Sequence, residues 1–115
     1  MKNIVVFGGT GERGRTLCRK LLSAGNKVTC IDDESVGWVV EIADCLDNEN
    51  FKFIRSKVED IELNDFKEKL DLIYDYTPSS VAPEGKNLIK QLAHFHGCRI
   101  IKKIEKVNPK ARGGR

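Results

Sequence analysis

An α/β fold is what this 115-residue chain predicts: a doubly wound parallel sheet of about five strands in the order 3-2-1-4-5. Three observations predict it. Short apolar runs of strand character alternate with amphipathic helical stretches along the chain. The first apolar run leads straight into a glycine-rich turn, Gly8-Gly-Thr-Gly-Glu-Arg-Gly14, that opens a helical stretch. The second apolar run ends in an acid, Asp32. Strand, glycine turn, helix, strand and acid, in that order, form the fingerprint of a Rossmann-like dinucleotide-binding unit.

The elements follow in sequence. Residues 2–7 form the first strand, and residues 12–24 a helix with Leu17, Leu21, Leu22 and Ala24 on its inner stripe. Gly25-Asn26 stops that helix. Residues 27–32 form the second strand. A second helix is expected over 36–47, with Val36, Val39, Val40, Ala43 and Leu46 facing inward and Trp38 in the core. Phe51–Arg55 alternates as a third strand, a short helix over 63–70 follows, and residues 71–76 form the fourth strand. Two prolines make Thr77–Pro83 a loop. A helix over 84–96, with Leu88, Ile89, Leu92 and Ala93 as its apolar face, ends at Gly97, and residues 99–104 form the fifth strand. Right-handed crossovers then give the strand order stated above and place a ligand over the carboxyl ends of strands one and four.

Gly9, Gly11 and Gly14 carry the G-x-G-x-x-G spacing, one each for a tight turn, a close approach to a diphosphate and helix–strand packing. N–H groups at the helix start, aided by its dipole, would bind the diphosphate. Asp32 can accept hydrogen bonds from both hydroxyls of the adenosine ribose. Its charge, with those of Asp33 and Glu34, would repel a 2′-phosphate, which favours NAD over NADP even with Arg13 and Arg15 nearby. Glu12 sits awkwardly at the mouth of an anion site unless it points outward. Asp32 read without a ligand is a loop carboxylate capping the next helix. The expected cofactor site comprises Gly8, Gly9, Thr10, Gly11, Glu12, Arg13, Gly14, Asp32, Asp33, Val58, Thr77 and Pro78.

Composition sets the class. With 40% hydrophobic and 32% charged residues the chain is an ordinary globular domain, and no apolar stretch approaches the length that spans a bilayer. No leader-like segment is evident, so a cytoplasmic location is expected. Cys18, Cys30, Cys45 and Cys98 lack metal-ligand spacing and are expected as free, mostly buried thiols. His94 and His96 would face different directions on a helix, which argues against a shared metal. The net charge of +3 hides an asymmetry: Arg99, Lys102, Lys103, Lys106, Lys110, Arg112 and Arg115 face only Glu105 at the end of the chain. Residues 1–105 are therefore expected as one nucleotide-binding domain and 106–115 as a basic tail. Such a tail can be a nucleic-acid footprint, but it lacks the aromatic interleaving that RNA binding favours.

On these residues the chain resembles the extended short-chain dehydrogenase/reductase family of nucleotide-sugar epimerases and dehydratases, and within it the UDP-glucuronate decarboxylases. The likeness rests on Phe7–Gly14, on Asp32–Gly37, on Asn50-Phe-Lys-Phe-Ile-Arg-Ser-Lys-Val58, on Asp71-Leu-Ile-Tyr-Asp-Tyr-Thr-Pro-Ser-Ser80, and on Gly97–Ile101 and Val107–Pro109. It spans most of this chain but only the first part of the family's length. It implies NAD as cofactor and a nucleotide sugar as a further ligand.

The departures are chemical. The family's Tyr-x-x-x-Lys pair, a tyrosinate acid/base with a lysine that lowers its pKa, has no counterpart: Pro78 stands at that spacing from Tyr74, and Ser80 from Tyr76. The family's active-site Ser/Thr falls among Lys103, Ile104 and Glu105, and the acid that reads the adenine amino group falls on Lys57. The sugar-nucleotide-binding domain is missing from this sequence. Asp71 and Asp75 are expected as strand edges and caps, and Ser79 and Ser80 have no arguable histidine partner. Three roles stay open at this point. One is an NAD-binding module without independent catalysis. Another is a partial enzyme completed by a partner chain or by a second copy across the fifth-strand edge. The third is a small nucleic-acid-binding protein using its basic tail.

Overall fold

In the computed structural model, which describes residues 1–34 and 37–102, the apolar runs become five parallel strands. They are β1 (Asn3–Phe7), β2 (Lys27–Asp32), β3 (Phe51–Arg55), β4 (Leu72–Asp75) and β5 (Ile100–Lys102), ordered β3-β2-β1-β4-β5 as the sequence predicts. Helices α1 (Glu12–Ser23), α2 (Ala43–Leu46) and α3 (Pro83–His96) lie in the connections. The expected strand at 99–104 is seen over Ile100–Lys102, while residues 103 and 104, like Val36 and the tail at 106–115, lie outside the described residues. No helix among the described residues is long and apolar enough to cross a membrane.

The strand period of two sends alternate side chains to two cores. Val5, Phe7, Ile31 and Ile73 meet Ile89, Leu92 and Ala93 of α3 on one face. Ile4, Val6, Val28 and Cys30 meet Cys18 of α1 together with Ile42 and Cys45 on the other. Register fixes this partition: Val5 pairs with Ile73 and Val6 with Cys30. The expected face of α3 is buried as predicted, with Leu88 half-buried beside it. Its end is capped by Gly97 in the left-handed region (φ +64°), where Cys98 N–H donates to Ala93 O (3.0 Å). His96 is buried, and its Nδ1 accepts from Leu70 N–H (3.1 Å); His94 is exposed.

Two helices differ from expectation. The stretch expected as a helix over 36–47 is a 3-10 turn over Val39–Ile42 followed by the single turn of α2. Its buried residues are Ile42 and Cys45, with Val39 packed against the core; a spacing of three suits the tighter helix. Val40, Ala43 and Leu46, expected inside, are exposed, and so is Trp38 (65% exposed), expected in the core. Just upstream, Gly37 lies so close to the glycine turn that a Cβ there would stand 2.0 Å from Thr10 O. The expected helix over 63–70 is only a 3-10 turn, Leu63–Asp65, closed by a capping box between Glu62 and Asp65. The chain then extends through Phe66 (φ −120°, ψ 78°), and Phe66 and Leu70 are buried as separate plugs.

At the carboxyl end of β4 a buried ionic cluster ties the strand to α3. Asp75 (4% exposed) accepts from Thr77 N–H (3.1 Å) and the Thr77 hydroxyl, and from Lys86 Nζ (3.0 Å). Lys86 Nζ also donates to Thr77 Oγ1 (2.6 Å). Burial pushes the Asp75 carboxyl up, but the hydrogen bonds from Thr77 and Lys86 outweigh it and hold the pKa below the ordinary carboxylate value.

Two outcomes are expected of these contacts. A Cβ on Gly14 would stand 2.3 Å from Gly8 O and 2.6 Å from Gly9 Cα, both rigid backbone atoms. Gly14→Ala should therefore cost about 1–3 kcal/mol in urea unfolding. An unchanged midpoint would mean that helix and turn can separate freely. Because the folded pKa of Asp75 is depressed, its contribution is complete above the unfolded value of about 3.9 and is lost as pH falls through the folded value. Asp75→Asn should lower stability at pH 7 by about 2 kcal/mol and flatten the acid limb of the melting-temperature profile below about pH 4. A parallel acid limb in the variant would remove the cluster from the account.

Candidate nucleotide site

Parallel strands place all their carboxyl ends on one edge of the sheet, and the connections from β1 and from β4 leave that edge in opposite directions. A cleft of about 430 Å³ opens there. The first residue beyond β1 is Gly8, at φ +82°, a conformation that side-chain-bearing residues avoid. Its N–H donates to Ile31 O (2.8 Å), and Tyr76 N–H donates to Phe7 O (2.8 Å), so the turn is held from both neighbouring strands. Gly8 thus makes the tight turn that the spacing alone assigns to Gly9. Gly9 is buried, with its Cβ position 2.3 Å from Cys30 Sγ. Gly14 closes helix onto turn.

Gly11 is the N-cap of α1 and supplies no side-chain cap. The N–H groups of the first helical turn lie beyond the reach of the helix's own carbonyl ladder. Gly11, Glu12, Arg13 and Gly14 line the cleft at that point. Glu12 lies in the first turn, exposed, where it favours the helix dipole but competes with an anionic ligand. Arg15 donates to Thr10 O (3.0 Å) from the half-buried side of the turn.

Across the cleft, Asp32 ends β2 with 7% exposure. Its Oδ2 accepts from Thr10 N–H (2.9 Å) and its Oδ1 from Glu34 N–H (2.6 Å). The carboxylate is therefore a brace between the β2 loop and the glycine turn as well as a wall of the cleft. It caps backbone groups on either side of itself rather than a following helix. Glu34 takes φ +65° to make this contact, and its side chain pairs with Arg55 (3.0 Å).

The rest of the lining comes from three loops. Asp33 follows Asp32; Ser56, Lys57, Val58 and Glu59 follow β3; Tyr76, Thr77, Pro78, Ser80, Val81 and Ala82 follow β4. Of the residues expected at the site, Gly8, Gly11, Glu12, Arg13, Gly14, Asp32, Asp33, Val58, Thr77 and Pro78 line one cleft. Gly9 and Thr10 lie behind it as buried parts of the turn. Thr10 Oγ1 is fully buried without a hydrogen-bond partner.

Sequence reasoning missed Glu59, Tyr76, Gly37 and Lys86. Glu59 could have been found by its two-residue offset from Lys57. Gly37 carries no local signal, because its reason is a contact with Thr10 across the chain. Tyr76 and Tyr74 form an edge-to-face pair (6.0 Å between ring centres), and Lys86 is bound to Asp75 and Thr77. These partners favour the charged form of the Asp75 carboxylate. Beneath the turn, the Cys30 thiol is pushed up by its hydrogen bond to Cys18 and by burial, so the sulfur adds no negative charge under the anion site. Cys45 and Cys98 are likewise held neutral, chiefly by burial. All four cysteines are free, three of them buried. No group of three or more His, Cys, Asp or Glu among the described residues is arranged to hold a metal ion.

Scans against protein-family models and against curated proteins find no match. Solved structures do match in fold. A dTDP-glucose 4,6-dehydratase from Bacillus anthracis, in complex with NAD, superposes with a TM-score of 0.77 at 17% identity over 94% of this chain and 41% of its own. A UDP-N-acetylglucosamine 4-epimerase from Methanobrevibacter ruminantium, in complex with UDP-N-acetylmuramic acid, gives 0.76 at 20% identity, covering 86% and 36%. The UDP-glucose 4-epimerase of Thermotoga maritima, with UDP-glucose, gives 0.74 at 21% identity, covering 93% and 42%. The chain spans about two fifths of the length of these structures. At such identities the likeness is one of fold: this chain has the Rossmann-like architecture found in nucleotide-sugar epimerases and dehydratases.

Proposed function

We propose that this chain is an NAD-binding module of the nucleotide-sugar epimerase and dehydratase type, akin to the UDP-glucuronate decarboxylases, and that it lacks catalysis of its own. The observation that carries the reading is the meeting, in one cleft, of the uncapped start of α1 with the Asp32 carboxylate. The residues fit the ligand. Glycine at positions 8, 11 and 14 leaves backbone, not side chains, facing the space where a diphosphate would lie. Asp32 spends one acceptor position of each oxygen on Thr10 and Glu34, and a carboxylate has about four. The remaining capacity suits the two hydroxyls of a ribose. Asp32 and Asp33 together would repel the 2′-phosphate of NADP.

Bound NAD supplies a hydride acceptor; the chain supplies the grip. Gly11 and the first turn of α1 would hold the diphosphate, Val58 would back the adenine, and Thr77 and Pro78 would flank the nicotinamide half. Turnover by the family's chemistry needs a Tyr-x-x-x-Lys pair, and Tyr76 has Ser80, not lysine, at that spacing. A nucleotide sugar, a cytoplasmic location and pairing of two copies through the open edge of β5 complete the proposal; β5 pairs only with β4 among the described strands. Residues 106–115 are assigned to a tail outside the nucleotide-binding domain.

Thermal unfolding with a ligand panel tests this. NAD at 100 times its Kd should stabilise by about 2.7 kcal/mol, a rise of about 10 °C for a domain of this size. NADP should give less. Asp32→Asn, which keeps an oxygen acceptor, should fold and lose most of the NAD shift. No shift with NAD, NADP, ATP or a UDP-sugar would overturn the reading.

A further inference from the structure

The core beneath the glycine turn contains three of the four cysteines, Cys18 on α1, Cys30 on β2 and Cys45 on α2, all buried in one cluster. Two of them form a pair. Cys18 and Cys30 are both 0% exposed and pack in the same cluster. The pair flanks a single point of the turn: a Cβ on Gly9 would stand 2.3 Å from Cys30 Sγ and 3.2 Å from Cys18 Sγ. Cys45 is marginally less buried (3%). Neither thiol is needed to grip a nucleotide, and an aliphatic pair would pack the same space.

We propose that Cys18 and Cys30 are a dithiol site for oxidative modification, closing to a disulfide under the glycine turn whenever the turn opens to a peroxide-class oxidant. The chemistry balances with one equivalent of hydrogen peroxide. One sulfur, as thiolate, attacks a peroxide oxygen; the O–O bond breaks, water leaves after protonation, and a sulfenic acid forms. The second sulfur attacks the first, the S–OH bond breaks, and hydroxide leaves with the second thiol proton as water. Two thiols are oxidised by two electrons, and one peroxide is reduced to two waters.

Gating follows from burial. With the turn closed, both sulfurs are 0% exposed and no oxidant reaches either. Opening must lift Gly9 away from Cys30, because the two are in contact. The same movement would dismantle the seat of a diphosphate, since the start of α1 packs through Gly14 on Gly9 itself, with a Cβ there 2.6 Å from Gly9 Cα. Ligand bound at the turn therefore protects the pair, a consequence that rests on the nucleotide reading; formation of the bond itself does not.

The experiment oxidises the intact 115-residue chain with hydrogen peroxide, with and without NAD. Quenching is followed by mass measurement and non-reducing peptide mapping. The expected product is 2 Da lighter, with Cys18 joined to Cys30 and with Cys45 and Cys98 still alkylatable. Cys45→Ala should form the same bond. Cys30→Ala should not, and circular dichroism reports whether that variant is folded. NAD at 100 times its Kd should slow the bond's formation by up to about 100-fold. Four alkylatable thiols after oxidation of the wild-type chain, or a bond through Cys45 or Cys98, would overturn the proposal. A Cys18–Cys30 bond formed at the same rate with NAD would leave the site standing and remove the gating, pointing to failure of the nucleotide reading instead.

Discussion

One steric constraint organises this molecule: the start of α1 lies directly on the backbone of the β1 turn with no side chain between them. A Cβ on Gly14 would stand 2.3 Å from Gly8 O. This contact seats the first helical turn at the end of β1, where its N–H groups face the cleft. It also brings Thr10 N–H to Asp32 and buries Thr10 completely. Gly37 then closes on Thr10 from the far side, so the loop after β2 is registered on the turn rather than on the sheet. Cys18 and Cys30 fill what space remains beneath Gly9. Loosening any one of these contacts displaces the others.

The same constraint explains what could be read from the sequence and what could not. Strand order, the face of α3 and ten of the cleft-lining residues follow from local pattern: period-two strands, glycine spacing, an acid at a strand end. On α1 the expected Leu17, Leu21 and Leu22 pack half-buried on the core, but Ala24, past the last helical turn, is exposed and Cys18 is the buried side chain of the stripe. Local pattern failed where a distant contact sets the geometry. The apolar residues at 39, 40, 43 and 46 fit an α-helical stripe, yet Val40, Ala43 and Leu46 are exposed, because the segment winds as a 3-10 turn and meets the core through Val39, Ile42 and Cys45, three residues apart. Trp38, just before that turn, is exposed with them. Leu63–Leu70 has helical spacing, but Asp65 is spent on a capping box and the chain extends to bury Phe66 and Leu70. The assignment of glycine roles shifted by one residue, because two adjacent glycines fit the turn equally well in sequence and only Gly8 takes a positive φ.

Charges of both signs line the cleft: Glu12 and Arg13 beside the helix N–H groups on the turn side, and Asp32, Asp33, Lys57 and Glu59 on the β2–β3 side. In the proposed complex the diphosphate would lie at the helix N–H groups and the ribose hydroxyls at Asp32. On the β4 side, Asp75, Thr77 and Lys86 hydrogen-bond to one another and brace that wall of the cleft.

The central claim is that the glycine turn and Asp32 grip one dinucleotide. A two-dimensional amide NMR titration of the chain with NAD addresses it most directly, because glycine amides fall in an uncrowded region of the spectrum. The account predicts saturable shifts at Gly8, Gly9, Gly11 and Gly14 and at the amides of Thr10 and Glu34, which donate to Asp32, with β5 unmoved. Unchanged glycine amides at saturating NAD, or shifts confined to another surface, would contradict it.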